Sequence, residues 1–125
     1  MRGSPPADGL VDRAVLSEFA EAGGVDLLDA LAAAAAAEAE THFEALTACC
    51  GSGDRAAAEH ALHTLKGTGA SLGLAPFAAE AERLLDRVRA GGEPGEAELA
   101  ALAQQWAAGF AAFEALRATF VDPAA

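Results

Sequence analysis

The 125-residue sequence predicts an all-α fold, an antiparallel up-down four-helix bundle with a short additional N-terminal helix. Three observations predict it. Glycine and proline divide the chain into five segments with helical spacing of their apolar residues, and none alternates as a strand would. The turns between the long segments are short, which favours antiparallel neighbours. Hydrophobic residues make up 53% of the chain, much of it alanine, so we expect one thin core between closely approached helices.

The first two predicted helices meet at Gly23-Gly24. The first is short, runs from about Asp12 to Ala22, and is expected to cover one end of the bundle. The second begins near Asp26, a good N-cap residue, and continues through an alanine tract to about Cys50, because alanine is the best helix former. Their predicted core residues are Val15, Leu16 and Phe19, then Leu27, Leu28, Leu31, Phe43 and Leu46.

Three further helices complete the predicted bundle. Asp54 can cap the third, which ends around Leu72-Gly73. Pro76 suits the first turn of the fourth, and Gly91-Gly92 closes it. The fifth runs from about Glu96 to Phe120 with apolar residues three or four apart. The predicted core residues are Phe77, Ala81, Leu84, Leu85 and Val88 in the fourth helix, and Leu99, Leu102, Trp106, Phe110, Phe113, Leu116 and Phe120 in the fifth.

Composition limits the domain organisation and the possible partners. We predict a disordered N-terminal tail at 1–9, one bundle domain at 10–121 and a C-terminal tail at 122–125. The 8 basic and 19 acidic residues give a net charge of −11 with no basic patch, so neither nucleic acid nor an anionic membrane surface is expected as a partner. No apolar run suits a transmembrane helix or a signal peptide, which makes the cytoplasm the expected compartment.

His63 falls on the outer face of the third predicted helix. At about 100° per residue, the apolar residues of this helix gather on one side and His63 lies almost opposite them. A histidine of the core is therefore a poor explanation. The predicted buried stripe is Ala58, Ala61, Leu62, Leu65, Gly69 and Leu72, and the residues around His63 are Ala56, Glu59, Lys66, Gly67 and Ala70.

Two residues beside His63 are unusual for a helix surface. Gly67 costs about 1 kcal/mol relative to alanine and gains nothing in packing there, so we expect it to leave room for another protein to approach the imidazole. Gly69, on the inner face, would instead let a neighbouring helix come close. Lys66 is the only lysine among eight basic residues, and its ammonium can reach a phosphate carried on the ring. The simpler alternative for Lys66 is a solvated surface charge.

The run from Ala61 to Gly73, A-L-H-T-L-K-G-T-G-A-S-L-G, resembles the H-x-L-K-G-x-x-x-x-L-G signature of histidine-containing phosphotransfer (HPt) domains, which serve bacterial and plant phosphorelays. Gly53-Asp54 upstream, and Glu82 and Leu85 in the following helix, agree with the same pattern. The resemblance covers residues 10 to 120, nearly the whole chain.

The resemblance implies that His63 accepts a phosphoryl group, that Lys66 interacts with it and that Gly67 provides clearance for the partner. It implies a phosphocarrier without kinase or ATPase activity, whose partners are receiver domains of response regulators or hybrid sensor histidine kinases. No cofactor is expected in this chain, since Mg²⁺ would belong to the receiver, and nothing demands more than a monomer. The residues expected to contact the partner are Ala56, Glu59, His60, Gly67 and Ala70.

Other interpretations stay open at this point. The bundle could be an adaptor that accepts no phosphate, or it could bind a metal through His60 and His63, although no third ligand is identifiable and no metal site is predicted. The glycines from Gly67 to Gly73 fit neither nucleotide-loop template. Adjacent Cys49 and Cys50 suit neither a metal site nor an ordinary disulfide.

Overall fold

Helices form nearly all of the chain that the computed structural model describes, residues 7–120. No strand occurs within these residues, which confirms the all-α prediction. The elements are α1 (Ala7–Leu10), α2 (Arg13–Cys49), α3 (Arg55–Ser71), α4 (Ala75–Arg89), α5 (Glu96–Arg117) and a terminal 3-10 turn (Ala118–Phe120).

The four long helices close into a ring. Helix α3 packs between α2 and α4, and α5 completes the ring by packing against both α4 and α2. Because the connections at 50–54, 72–74 and 90–95 are only a few residues long, successive helices run antiparallel. This is the predicted up-down bundle. Within residues 7–120, no helix has the length and apolar character that a bilayer crossing requires.

Helix α2 consists of two helical segments that break at Gly24, as the predicted stop at Gly23-Gly24 requires. The segments before and after Gly24 are both helical and follow one another without a loop, and only Gly24 leaves the helical conformation, at φ 70° and ψ −163°. Glycine tolerates this positive φ, so the chain changes direction there and resumes the helix at once. The N-cap is Asp12, whose carboxylate accepts a hydrogen bond from Ala14 N–H at 2.9 Å, and the expected cap at Asp26 is not needed.

The bundle end near Asp12 is covered by the first part of α2, as predicted. Asp12 N–H donates to Gly73 C=O at 2.8 Å, which ties the start of α2 to the α3–α4 turn. The Arg13 guanidinium lies 5.4 Å from the centre of the Phe120 ring, beyond the end of α5. Helix α1 adds contacts to α4 and α5 and was not predicted; it begins inside the segment assigned to the N-terminal tail. The predicted tail residues 1–6 and 122–125 lie outside the described residues.

Local chemistry fixes the start of α3 and of α4 as the sequence predicts. The Asp54 carboxylate accepts a hydrogen bond from Ala57 N–H at 3.1 Å, which satisfies one of the free donors of the first turn of α3. Pro76 occupies the first turn of α4, where no backbone donor is required.

The turn after α3 is a Schellman motif centred on Gly73. Leu74 N–H donates to Gly69 C=O at 2.8 Å, Gly73 N–H donates to Ala70 C=O at 3.0 Å, and Gly73 has a φ of +78°. A Cβ at Gly73 would lie 3.1 Å from the backbone oxygen of Asp12. Glycine is therefore required here by both conformation and space.

The core is apolar and rich in alanine, and among the described residues none that is polar or charged is buried. The predicted stripes of α3 and α4 are buried throughout, whereas α5 differs from its predicted seam. Trp106, Phe110 and Phe120 are only half-buried, and the small residues Gly109 and Ala112 face the core instead. The large rings remain at the rim, where Trp106 packs on Phe77 at 5.3 Å between ring centres and stacks on Phe110 at 5.2 Å.

Candidate functional site

His63 is the central residue of α3, and its side chain is exposed. The opposite face of the helix holds the predicted buried stripe, and every member of that stripe is buried. Within residues 7–120, the His63 ring takes part in no hydrogen bond or ion pair that the structure records. The imidazole therefore projects from a fully helical backbone toward solvent.

The surroundings of His63 form an open surface groove between α3 and α4. Its lining consists of Ala56, Glu59, His60, His63 and Arg89. Four of the five residues predicted to meet a partner, Ala56, His60, Gly67 and Ala70, are exposed, and Glu59 is half-buried. Arg89 was missed from the sequence because it belongs to another helix, and only the packing of α4 on α3 brings it to this groove.

Lys66 is held by an ion pair across the two helices. Its ammonium nitrogen lies 2.8 Å from Oε1 of Glu82 on α4, and 35% of the Lys66 side chain is exposed. The hydrogen bond from Lys66, and then its charge, lower the pKa of the Glu82 carboxyl; the charge of Arg89 adds to this effect. Lys66 thus has a partner of its own and is not the simple solvated charge that the sequence left open.

A second ion pair joins α3 to α4 one turn before His63, and here the acid is on α3 and the base is on α4. Glu59, one turn before His63 on α3, accepts from Arg89, the last residue of α4, with 3.2 Å between Oε2 and Nε. His63 therefore lies between two α3–α4 pairs: the acid is on α3 in one and on α4 in the other. Lys66 follows His63 by three residues on α3, and Arg89 reaches the groove around His63 from α4.

The two glycines of α3 have different surroundings. A Cβ at Gly69 would overlap the ring of Phe77, so the absence of a side chain there lets α4 approach, as predicted. A Cβ at Gly67 would meet nothing within 4 Å. Packing inside the protein therefore gives no reason for a glycine at position 67.

The other histidines form a contact between α2 and α3. The rings of His42 and His60 meet edge to face with 5.8 Å between their centres, and Nε2 of His42 lies 3.4 Å from Glu38. Across the described part of the chain, no three His, Cys, Asp or Glu side chains are grouped so that they could hold a metal ion. Nothing in the structure supplies the third ligand that the alternative based on His60 and His63 lacks.

Cys49 and Cys50 are free and half-buried at the end of α2. Burial, and to a lesser extent the charge of Asp54, raise the pKa of the Cys49 thiol. A raised pKa disfavours the reactive thiolate form of Cys49.

Comparison with known proteins identifies the family. The family model described as Hpt domain matches residues 26–118, about three quarters of the chain and all of α3 and α4. The chain therefore belongs to the Hpt domain family, whose members are phosphocarrier modules that act with receiver domains in two-component phosphorelays. No curated protein matches the chain, and neither does any solved structure.

Proposed function

We propose that His63 is the phosphoacceptor of this chain and that it passes phosphoryl groups between aspartates of receiver domains. The observation that carries the proposal is the exposed imidazole at the centre of α3, with the Lys66 ammonium one turn away. Family membership supplies the reaction class, histidine phosphotransfer, and the exposed surface around His63 supports the choice of this residue as the acceptor.

The transfer needs little from this side of the complex. The unprotonated ring nitrogen of His63, in our proposal Nε2, attacks the phosphorus of an aspartyl phosphate. The N–P bond forms as the P–O bond breaks, and the departing carboxylate takes the electron pair. The proton on the other ring nitrogen stays in place. Phosphoryl transfer depends mostly on positioning and charge neutralisation, and a neutral imidazole is a good nucleophile near neutral pH.

Lys66 provides positive charge on this side of the phosphoryl group. To do so its ammonium moves from the Glu82 carboxylate toward the phosphate, which lies on the same face of α3. Glu82 is more than half exposed, so water hydrates it when the ammonium leaves. Lys66→Ala is expected to slow transfer or shorten the life of the phosphohistidine while the bundle stays folded.

Clearance for the receiver comes from Gly67 and from the exposed residues Ala56 and Ala70 on either side of His63 along α3. Their small side chains let the partner bring its aspartate to the ring, and Glu59 and His60 add polar contacts at the edge. The Mg²⁺ ion that neutralises the transferred group is, in this proposal, held by the receiver. The donor is a receiver-domain aspartyl phosphate or a hybrid kinase.

The experiment is phosphotransfer from a labelled, phosphorylated receiver domain or hybrid kinase. We expect label on this chain that is labile to acid and stable to base. His63→Gln should abolish it with unchanged helicity and melting, because an exposed side chain adds little to stability. His42→Gln is the matched control: it removes an imidazole of α2 that lies outside the groove around His63 and should keep the label. Label retained in His63→Gln, or lost only in His42→Gln, would overturn the assignment.

A further inference from the structure

We propose that Arg89 is a second phosphoryl-binding residue of the His63 site and that Glu59 is a positioning residue that holds its guanidinium until the phosphoryl group arrives. Arg89 and Glu59 then exchange partners each time His63 is phosphorylated or relieved of its phosphate. This inference rests on the proposed role of His63 and adds a competition that sets how strongly the chain retains the phosphoryl group.

The first observation is the position of Arg89. It lines the same groove as His63, and its Nε lies 3.2 Å from Oε2 of Glu59, one turn before His63. It comes from α4, whereas His63 and Lys66 come from α3. A phosphoryl group on the ring would therefore have Lys66 one turn further along α3 and Arg89 across the groove on α4.

The second observation is that the Glu59–Arg89 pair is exposed. About half of the Arg89 side chain, 48%, and 42% of the Glu59 side chain are accessible. Ion pairs in such surroundings add little to stability and are readily exchanged. Arg89 ends α4, so its side chain has freedom to turn toward His63, and the Glu59 carboxylate can be hydrated when it is released.

Charge decides the direction of the exchange. A bound phosphoryl group brings more negative charge than a carboxylate, and the planar guanidinium forms paired hydrogen bonds to phosphate oxygens. Glu59, on the same face of α3, would repel the phosphoryl group while its own charge is unpaired. Arg89 therefore faces two competing anions, and stronger binding to one weakens binding to the other.

The proposed exchange predicts that removing the charge of Glu59 and removing that of Arg89 have opposite effects on the stability of the phosphohistidine. With a phosphorylated receiver as donor, the measured quantity is an equilibrium ratio. It is the ratio of phosphorylated to unphosphorylated chain divided by the ratio of phosphorylated to unphosphorylated receiver. Docking affinity cancels from this ratio, so it reports the stability of the phosphohistidine alone. Arg89→Ala should lower the ratio by about three- to tenfold, Glu59→Gln should raise it, and Arg89→Lys should fall between wild type and Arg89→Ala.

A double-variant cycle separates competition from simple repulsion. If Glu59 acts by holding Arg89, then Glu59→Gln should have a smaller effect in the Arg89→Ala background. If Glu59 only repels the phosphate, its effect would be the same in both backgrounds, and the claim about Glu59 would fail. The Arg89 side-chain N–H resonance should also shift on phosphorylation of His63.

Arg83 and Glu80 provide the matched control. They form an Arg–Glu pair within α4, the Arg83 side chain is 53% exposed, and Arg83 also reaches Glu98 on α5. Arg83→Ala and Glu80→Gln should leave the equilibrium ratio unchanged. Normal labelling of wild type with an Arg89→Ala ratio equal to that of Arg83→Ala would refute this inference and leave the proposed function intact. Failure of wild type to accept label, or label that survives in His63→Gln, would instead refute the proposed function.

Discussion

Replacing each of the two α3 glycines with alanine tests whether the structure explains them correctly. Gly67 and Gly69 are two residues apart in the same helix, so both substitutions gain the same helix propensity, about 1 kcal/mol. They differ in what the new methyl group meets: open space at Gly67, and the Phe77 ring at Gly69. The propensity gain cancels when the two variants are compared, and the difference between them measures the contact with Phe77.

The size of that difference follows from the burial of Phe77. Its side chain is 2% exposed and is packed against Trp106 and Phe43, so the ring has little space into which it could move. Overpacking of this kind costs about 1–3 kcal/mol. Gly67→Ala should therefore be more stable than wild type by about 1 kcal/mol. Gly69→Ala should be less stable than Gly67→Ala by about 1–3 kcal/mol, or roughly 4–12 °C in Tm for a chain of this size.

The assay is urea unfolding followed by far-ultraviolet circular dichroism, with thermal melts as a second measure. Equal unfolding slopes for both variants would show that stability alone has changed. Two variants of equal stability would refute the statement that α4 packs against bare backbone at Gly69. A loss of stability in Gly67→Ala would contradict the open space found at that position.

Three further predictions concern the same helix. Gly67→Leu should keep or raise Tm yet block phosphotransfer by its bulk, and normal transfer rates would contradict the proposed clearance. Lys66→Ala should raise the Glu82 pKa toward its ordinary value near 4.5, measured by an NMR titration of the carboxyl carbon; an unchanged midpoint would mean that the ion pair does not form in solution. A carboxylate with a lowered pKa stabilises the fold above its unfolded-state pKa and loses that contribution as pH falls. In Lys66→Ala, the free energy of unfolding should therefore decrease less as the pH is lowered through the range in which Glu82 is protonated. Asp54→Ala should cost about 1 kcal/mol in urea unfolding while Asp54→Asn keeps most of the stability, because the cap needs only a side-chain oxygen; equal losses would remove the capping argument.

Features set within one helix could be predicted from the sequence. Helical periodicity alone places His63 opposite the buried stripe, and the cap at Asp54 and the turn at Gly73 follow from the conformations that aspartate and glycine favour. The family signature added the proposed roles of His63 and Lys66, which remain predictions.

Features set between helices could not be predicted. The pairing of Lys66 with Glu82 and of Glu59 with Arg89 depends on how far α4 is shifted along α3, and that shift follows from the packing of the two helices, including Phe77 on Gly69. No single-helix pattern contains this information.

At the ends and the rim of the bundle, the structure differs from the sequence prediction for reasons that also lie outside single-helix patterns. Gly23-Gly24 signals a helix stop, but the sequence does not say whether a loop follows, and at Gly24 the helix resumes at once. Helix α1 has only four residues, too few to show a period. On α5, spacing selects Trp106 and Phe110 for the core, yet a thin interior favours the smaller Gly109 and Ala112.

The division of α3 into a buried and an exposed side has a consequence for how this protein could evolve. The exposed positions Ala56, Gly67 and Ala70 carry no part of the packing, whereas Leu62 and Leu65 directly behind them are fully enclosed. Under the proposed function, substitutions on the outer side would alter recognition of a receiver domain at little cost in folding free energy. A duplicated gene could thus acquire a new partner through a few outward-facing changes while its interior stayed as it was.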